Sequence, residues 1–362
     1  MKFDKWLFFT VVSLMLFGLM MIYSSSYIWA EYKFNNEFHY VIYQGAFVII
    51  GLAIMIILSK IPHDFYYKNA NKLLLIALIL LILVLIPGIG SVRNGSRSWF
   101  GIGGFGVQPS EFAKLSLIVF ASKYLEKSNK FLKDYKKGVM PILLVLFLFF
   151  GLIMLEPDFG TGMILVVSII ALLFVSGVNM KFFIYLGIVG AIGIVVLILI
   201  APYRMDRITS FLDPWSDPLG TGFQIIQSLY AIGPGGLLGM GLFNSRQKHF
   251  YLPEPQTDFI FSIISEELGV LGVILVTFLF GMIMYRGIRI ALKQERLFSK
   301  YLAFGLTFQI IIQTLLNLMV VIGLIPVTGV TLPFLSYGGS SLLISCLSMG
   351  ILLNISKSNI QC

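Results

Sequence analysis

Three short stretches place an acid close behind a proline at the mouth of an apolar run. In YLPEPQTDFIF (251–261) Pro253 and Pro255 precede Asp258, in QPSEFAK (108–114) Pro109 precedes Glu111 and Lys114, and in EPDFGT (156–161) Pro157 precedes Asp158. A proline keeps the residue before it out of helical geometry, so each acid falls at a helix start. Pro255 leaves Thr257 or Asp258 as the N-cap of the run that follows. A carboxylate there can cap the helix or take a proton from a hydroxyl as a general base. Three such acids on one side can also share a divalent cation, Mg or Mn, which prefers oxygen ligands. Glu111 and Lys114 are spaced i, i+3 on one helix face, either as a salt bridge or as a lysine held to meet an anion. Arg93, Arg97, Arg204, Arg207, Arg246 and Lys248 are either solvated loop charge or forks for a diphosphate.

The elements that must position these groups are set by composition. Of 362 residues 58% are hydrophobic and 12% charged, and the mean hydropathy is +0.92. Soluble domains average about 25% charged residues. Stretches such as PILLVLFLFFGLIML (141–155) do not alternate with a period of two, which excludes a barrel and leaves an all-α bundle. Ten spans are expected, near 6–24, 40–59, 72–88, 110–125, 139–155, 160–178, 182–201, 258–285, 301–325 and 331–354. With the amino terminus inside, 18 of the 26 basic residues fall on the cytoplasmic side and 8 outside, so both termini are expected in the cytoplasm. The +9 net charge reads as this bias rather than as a nucleic-acid surface.

The unusual sequence is then extracellular. It comprises 89–109 and a large loop, 202–257, between spans seven and eight, in which GFQIIQSLYAI (222–232) reads as a short amphipathic helix on the outer surface. A loop this long is functional or disordered, and Trp215, Phe223, Leu229 and Tyr230 make it too apolar for disorder. Behind Asp258, Ser262, Ser265, Glu266 and Gly269 share one helix face, a polar stripe that must meet a cavity or polar partners. Glu266 and Glu267 lie about 100° apart, so both cannot face one cavity; Glu267 reads as structural, Glu266 as structural or substrate-binding. No soluble domain or internal repeat interrupts the chain, so 1–362 reads as one transmembrane domain.

Several chemistries are excluded. Cys346 and Cys362 make no disulfide framework, and His39, His63 and His249 have no zinc spacing. GIGGFG (101–106) matches a dinucleotide fingerprint only as letters, since it lies in an outer loop and not between a strand and a helix. An outer site has no access to nucleotides, so its substrate must carry its own activation. A lipid-diphosphate sugar does, and transfer from it needs one base for the acceptor hydroxyl, a role that suits Asp258.

NGSRSW (94–99), QPSEFAK (108–114), EPDFGTG (156–162), the segments 207–236 and 245–269, and NLMVVIGLIPVTGVTLPFLSYGGSSL (317–342) occur in this order over nearly the whole chain. In these motifs the chain resembles the SEDS family of shape, elongation, division and sporulation proteins, the FtsW/RodA/SpoVE group, and most closely its division and sporulation branch. The resemblance implies a ten-span, inverting peptidoglycan glycosyltransferase of the cytoplasmic membrane. Such an enzyme polymerises lipid II on the extracellular side, with undecaprenyl diphosphate leaving, beside a class B penicillin-binding transpeptidase. It places the essential acid on Asp258, the Glu–Lys pair on Glu111 and Lys114, and a second acid on Asp158. It also sets YGGSS (337–341) near the central cavity, where helix packing through small residues is the local reading. A lipid II transporter and a non-catalytic scaffold for the transpeptidase are the alternatives. The outer placement of the acids and the lack of an inverted repeat favour chemistry.

Overall fold

Long apolar runs leave the backbone no hydrogen-bond partner but itself, so the chain folds as helices. The computed structural model describes all residues except 1–2, 94, 103–104, 133, 201–204, 206–208 and 358–362. Its first helices are α1 (Lys5–Phe34), α2 (His39–Leu58), α3 (His63–Leu85) and α4 (Pro109–Ser128). A single turn, α5 (Tyr135–Gly138), precedes α6 (Met140–Leu155), α7 (Phe159–Val175) and α8 (Met180–Ile200). The last four are α9 (Phe223–Ile232), α10 (Ile260–Leu292), α11 (Leu297–Val321) and α12 (Gly339–Lys357). All but α5 and α9 fall one for one on the ten expected spans.

Six of these helices, α1, α2, α3, α10, α11 and α12, are long and apolar enough to cross a membrane, and α6, α7 and the first part of α8 are shorter apolar helices. Helix α4 is different because it is enclosed. Fourteen of its residues are buried, including Glu111 and Lys114, and it packs against α3, α6, α7, α11 and α12. Protein rather than lipid covers it, so it can carry charge where a lipid-facing helix could not.

The start of α1 and the last turn of α12 meet at one end of the bundle. The Asp4 backbone N–H donates to Ser356 Oγ at 3.0 Å, and Lys357 Nζ donates to the Ser59 carbonyl at 2.6 Å. Asp4 also caps α1, its Oδ1 accepting from the Leu7 N–H at 3.0 Å.

Three features differ from the expectation. Residues 91–107 form a three-stranded antiparallel sheet, β1 (Ser91–Arg93), β2 (Ser96–Ile102) and β3 (Phe105–Val107), within an otherwise helical fold. Helix α12 begins at Gly339 and not near 331, because Pro333 and the left-handed Phe334 (φ 64°) keep the preceding segment out of a helix. Helix α9 matches the expected amphipathic helix but is docked into the bundle: Ser228 Oγ lies 2.7 Å from Ser262 Oγ and donates to the Val321 carbonyl at 2.7 Å.

Helix α10 is broken at Gly269, whose φ of 60° and ψ of −151° only glycine adopts readily. The loop segment 236–241 fills the break. The N–H groups of Met240 and Gly241 donate to the carbonyls of Glu266 and Glu267 at 2.9 and 3.0 Å. The N–H groups of Val270 and Leu271 donate to the carbonyls of Gly236 and Leu237 at 3.0 and 3.3 Å. Backbone groups freed inside a membrane must be paired again, and these four are. A Cβ at Gly269 would meet the Gly239 nitrogen at 2.5 Å. Gly269→Ala is therefore expected to combine backbone strain with steric conflict and to cost about 2 kcal/mol or more. Thermal melting of the purified variant, expected well below wild type, checks this.

Candidate active site

The acids gather at the end of the bundle opposite the chain termini, where α4, α7 and α12 begin. Each enters differently. Asp158 is the N-cap of α7, its Oδ1 accepting from the Thr161 N–H at 3.0 Å. Its Oδ2 accepts from Gln108 Nε2 at 2.8 Å. Gln108 precedes α4, and its own N–H donates to Ser340 Oγ at 3.2 Å, which ties the YGGSS segment to the start of α4. Burial pushes the Asp158 carboxyl up, against the pull of the Thr161 hydrogen bonds and of the Lys114 charge.

Glu111 and Lys114 form the expected pair, Nζ to Oε1 at 2.9 Å, and both are buried. Lys114 Nζ also donates to Gln313 Oε1 at 2.8 Å. Gln313 Nε2 donates to the Thr331 carbonyl at 3.1 Å and to Ser341 Oγ at 3.4 Å. One turn along α11, on the same face, Asn317 Nδ2 donates to the carbonyls of Asp258 and Val330, each at 2.7 Å. A line of polar groups thus runs from Asp258 through Asn317 and Gln313 to Lys114 and Glu111.

Asp258 is half-buried. It is not the cap of α10, which starts at Ile260 after Phe259, a residue that makes no side-chain cap bond. The Thr257 hydroxyl donates to Asp258 Oδ1 at 3.0 Å, and the Tyr337 N–H donates to the Gln256 carbonyl at 2.8 Å. The segment between α11 and α12 therefore holds the backbone beside Asp258. Around these groups Gln256 Oε1, Asn317 Oδ1, Ser110 Oγ and Thr328 Oγ1 are buried without a hydrogen-bond partner. Such orphans cost free energy unless something polar meets them, as the hydroxyls of a sugar would.

The basic residues separate into two groups. Arg97 lies half-buried on β2, and Arg246 is exposed. Lys248 lies elsewhere, fully buried, with Nζ 2.9 Å from Glu267 Oε1 and 4.9 Å from the centre of the Tyr27 ring. Glu266 accepts from the Ser245 hydroxyl and from the Arg246 N–H, the latter at 2.8 Å. Ser24 and the Ser245 N–H donate to Glu267. Glu266 and Glu267 thus grip one segment, 245–248, which wraps around the helix and so meets both faces. Ser262 and Glu266, of the polar stripe behind Asp258, meet the loop's own groups there. Arg204 and Arg207 lie outside the described residues, and so does the side chain of Arg93.

A divalent cation finds no cage here. Among the described residues no three His, Cys, Asp or Glu side chains converge. Glu111 is paired with Lys114, and Asp158 with two N–H donors, so these acids do not fit a metal site built by protein alone.

Glu156, in the turn between α6 and α7, is fully buried, and neither carboxyl oxygen has a partner. Burial, and then the neighbouring Asp158, push its carboxyl up to about 9. The folded chain keeps a proton there that the unfolded chain releases above its ordinary range near 4.3. Stability therefore falls as pH rises from that range towards about 9, a cost of roughly 4 kcal/mol by pH 7. Glu156→Gln removes the titration. Its melting temperature is expected above wild type at pH 7 and 8, with the gap closing towards pH 5; a gap independent of pH would contradict the assignment.

Comparison with known proteins agrees with this architecture. The family model FTSW_RODA_SPOVE, described as "Cell cycle protein", matches residues 5–361. Stage V sporulation protein E of Bacillus subtilis is 51% identical over 354 residues, 98% of this chain and 97% of that one. A probable peptidoglycan glycosyltransferase FtsW of Legionella pneumophila is 40% identical over 360 residues, 99% of this chain and 91% of that one. Among solved structures, a chain of a peptidoglycan synthase complex that coordinates polymerization and crosslinking matches with a TM-score of 0.83 and 30% identity, covering 100% of both chains. The rod shape determining protein RodA of Thermus thermophilus matches with a TM-score of 0.74 and 26% identity, covering 100% of this chain and 99% of that one. The chain belongs to the FtsW/RodA/SpoVE family of multi-pass membrane proteins.

Proposed function

We propose that this protein is a peptidoglycan glycosyltransferase that polymerises lipid II at the outer face of the cytoplasmic membrane. In this reading all ten long helices cross the membrane and both termini are cytoplasmic. The observation that carries it is the line of polar groups from Asp258 through Asn317 and Gln313 to Lys114 and Glu111. One end offers a carboxylate, the other a cation, as sugar transfer from a diphosphate requires.

The Asp258 carboxylate takes the proton of the acceptor sugar's 4-hydroxyl as that oxygen bonds to C1 of the donor. The C1–O bond to phosphate breaks on the opposite face, its electron pair leaves with undecaprenyl diphosphate, and the anomeric centre inverts. Asn317 fixes the Asp258 backbone. Lys114, oriented by Glu111 and Gln313, supplies positive charge towards the leaving group. Asp158 holds Gln108 and the start of α7. Arg97 and Arg246 are the described cations left to steer the diphosphate, with Arg93 and Arg207 in the same outer segments. Among the described residues the side chains build no seat for a Mg or Mn ion. A class B penicillin-binding transpeptidase is the partner that would crosslink the strand.

The test is product analysis. Purified protein in vesicles, with the partner and lipid II, is expected to yield glycan strands. Lipid II crossing the bilayer without polymer would establish the transporter reading instead.

A further inference from the structure

The end of the bundle that carries the chain termini holds a second polar feature, unrelated to the acids above. A cleft of about 270 Å³ opens between the start of α1 and the last turns of α10, lined by Asp4, Lys5, Arg286, Arg289 and Lys293, with Ser356 of α12 at its edge. Asp4 is the one acid in this lining. Both of its oxygens are engaged: Oδ1 accepts from the Leu7 N–H, and Oδ2 accepts from the Arg286 guanidinium, whose Nε lies at 2.9 Å. Asp4 therefore neutralises Arg286 alone. Among the described residues no acid lies within ion-pair distance of Lys5, Arg289 or Lys293. Three cations thus face one cleft without a counter-charge, an arrangement that repels itself unless an anion enters.

Two features say what kind of anion. Arg289 is steadied by its neighbour Tyr285, with NH1 donating to the phenol oxygen at 3.2 Å and the guanidinium 5.8 Å from the ring centre. A guanidinium held this way, with ammonium groups beside it, suits the tetrahedral oxygens of a phosphate. The surface next to the cleft is apolar. Trp6 and Phe9 on α1 and Leu292 on α10 are 68%, 60% and 69% exposed. Two aromatic side chains and a leucine beside a basic cluster mark the level where acyl chains meet headgroups.

We propose that this cleft is a binding site for the phosphate headgroup of an anionic membrane lipid, its acyl chains lying along Trp6, Phe9 and Leu292. The headgroup joins α1, α10 and α12 at the end remote from the reaction. The site rests on the reading of the chain as a membrane protein but not on its enzymology.

The test uses full-length protein in nanodiscs of phosphatidylcholine containing a minor fraction of phosphatidylglycerol, with bound lipid measured by native mass spectrometry. Wild type is expected to retain phosphatidylglycerol in preference. The variant Lys5→Gln, Arg289→Gln, Lys293→Gln leaves Arg286 and Asp4 in place. It is expected to lose the preference by at least tenfold, from about fivefold per cation. A Lys130→Gln, Lys136→Gln, Lys137→Gln variant, which removes as many charges elsewhere, is expected to keep it. Equal loss in both variants, or equal retention of the two lipids by wild type, would overturn the site. Displacement of the lipid by millimolar inorganic phosphate or glycerol phosphate would overturn the lipid assignment in favour of a soluble anion. Because none of these readouts requires polymer synthesis, their failure is separable from failure of the proposed reaction.

Discussion

Lys248→Met is expected to destabilise the protein by about 3–5 kcal/mol, the cost of leaving one member of a buried ion pair without its partner. Lys248 and Glu267 are both fully buried, 2.9 Å apart. Removing the ammonium leaves Glu267 with hydroxyl and amide donors but no positive charge. The lost bond also loosens the end of segment 245–248 nearest Asp258, leaving Ser245 and Arg246 to hold it to Glu266 and Glu267. Activity should therefore fall with stability. Two comparisons make the result specific. Adding Glu267→Gln to Lys248→Met should restore part of the loss, because no buried charge then remains unpaired. Arg246→Ala, two residues away and exposed, should change stability by less than about 0.5 kcal/mol. Thermal melts of the four proteins in one detergent measure all of this. A single variant no less stable than Arg246→Ala would contradict the buried pair.

The local parts of this fold were legible in the sequence, and the non-local parts were not. Asp158 could be read as a cap from Pro157 before it and the apolar run after it. Glu111 and Lys114 could be read as a pair from their spacing, which one turn of helix fixes. The ten apolar runs follow from the cost of an unpaired backbone in lipid. Lys248, by contrast, looked like an outer cation because nothing near it in sequence pairs with it. Its partner is 19 residues on, and the two meet only because the loop enters the break at Gly269. Gln313 and Asn317 were missed, although amides four residues apart within the apolar run LTFQIIIQTLLNLM (306–319) are a signal for a polar face inside a bundle. The strands of 91–107 are too short to carry a period. Asp258 was placed at a helix start from the prolines, but the helix waits two residues longer.

The largest expected effect on activity is that of Asp258→Asn. The amide keeps the size of the side chain and can keep a hydrogen bond to Thr257. It cannot accept the proton of the acceptor hydroxyl. Loss of a positioned general base typically lowers a rate by about 10²–10⁴. Substrate contacts elsewhere in the site are untouched, so affinity for lipid II should change little, and so should the melting temperature. The most direct measurement is the initial rate of glycan strand formation by purified wild type and Asp258→Asn in the same vesicles at saturating lipid II, with lipid II binding measured alongside. The account predicts a rate at least a hundredfold lower with binding preserved. A rate within a few-fold of wild type would contradict it.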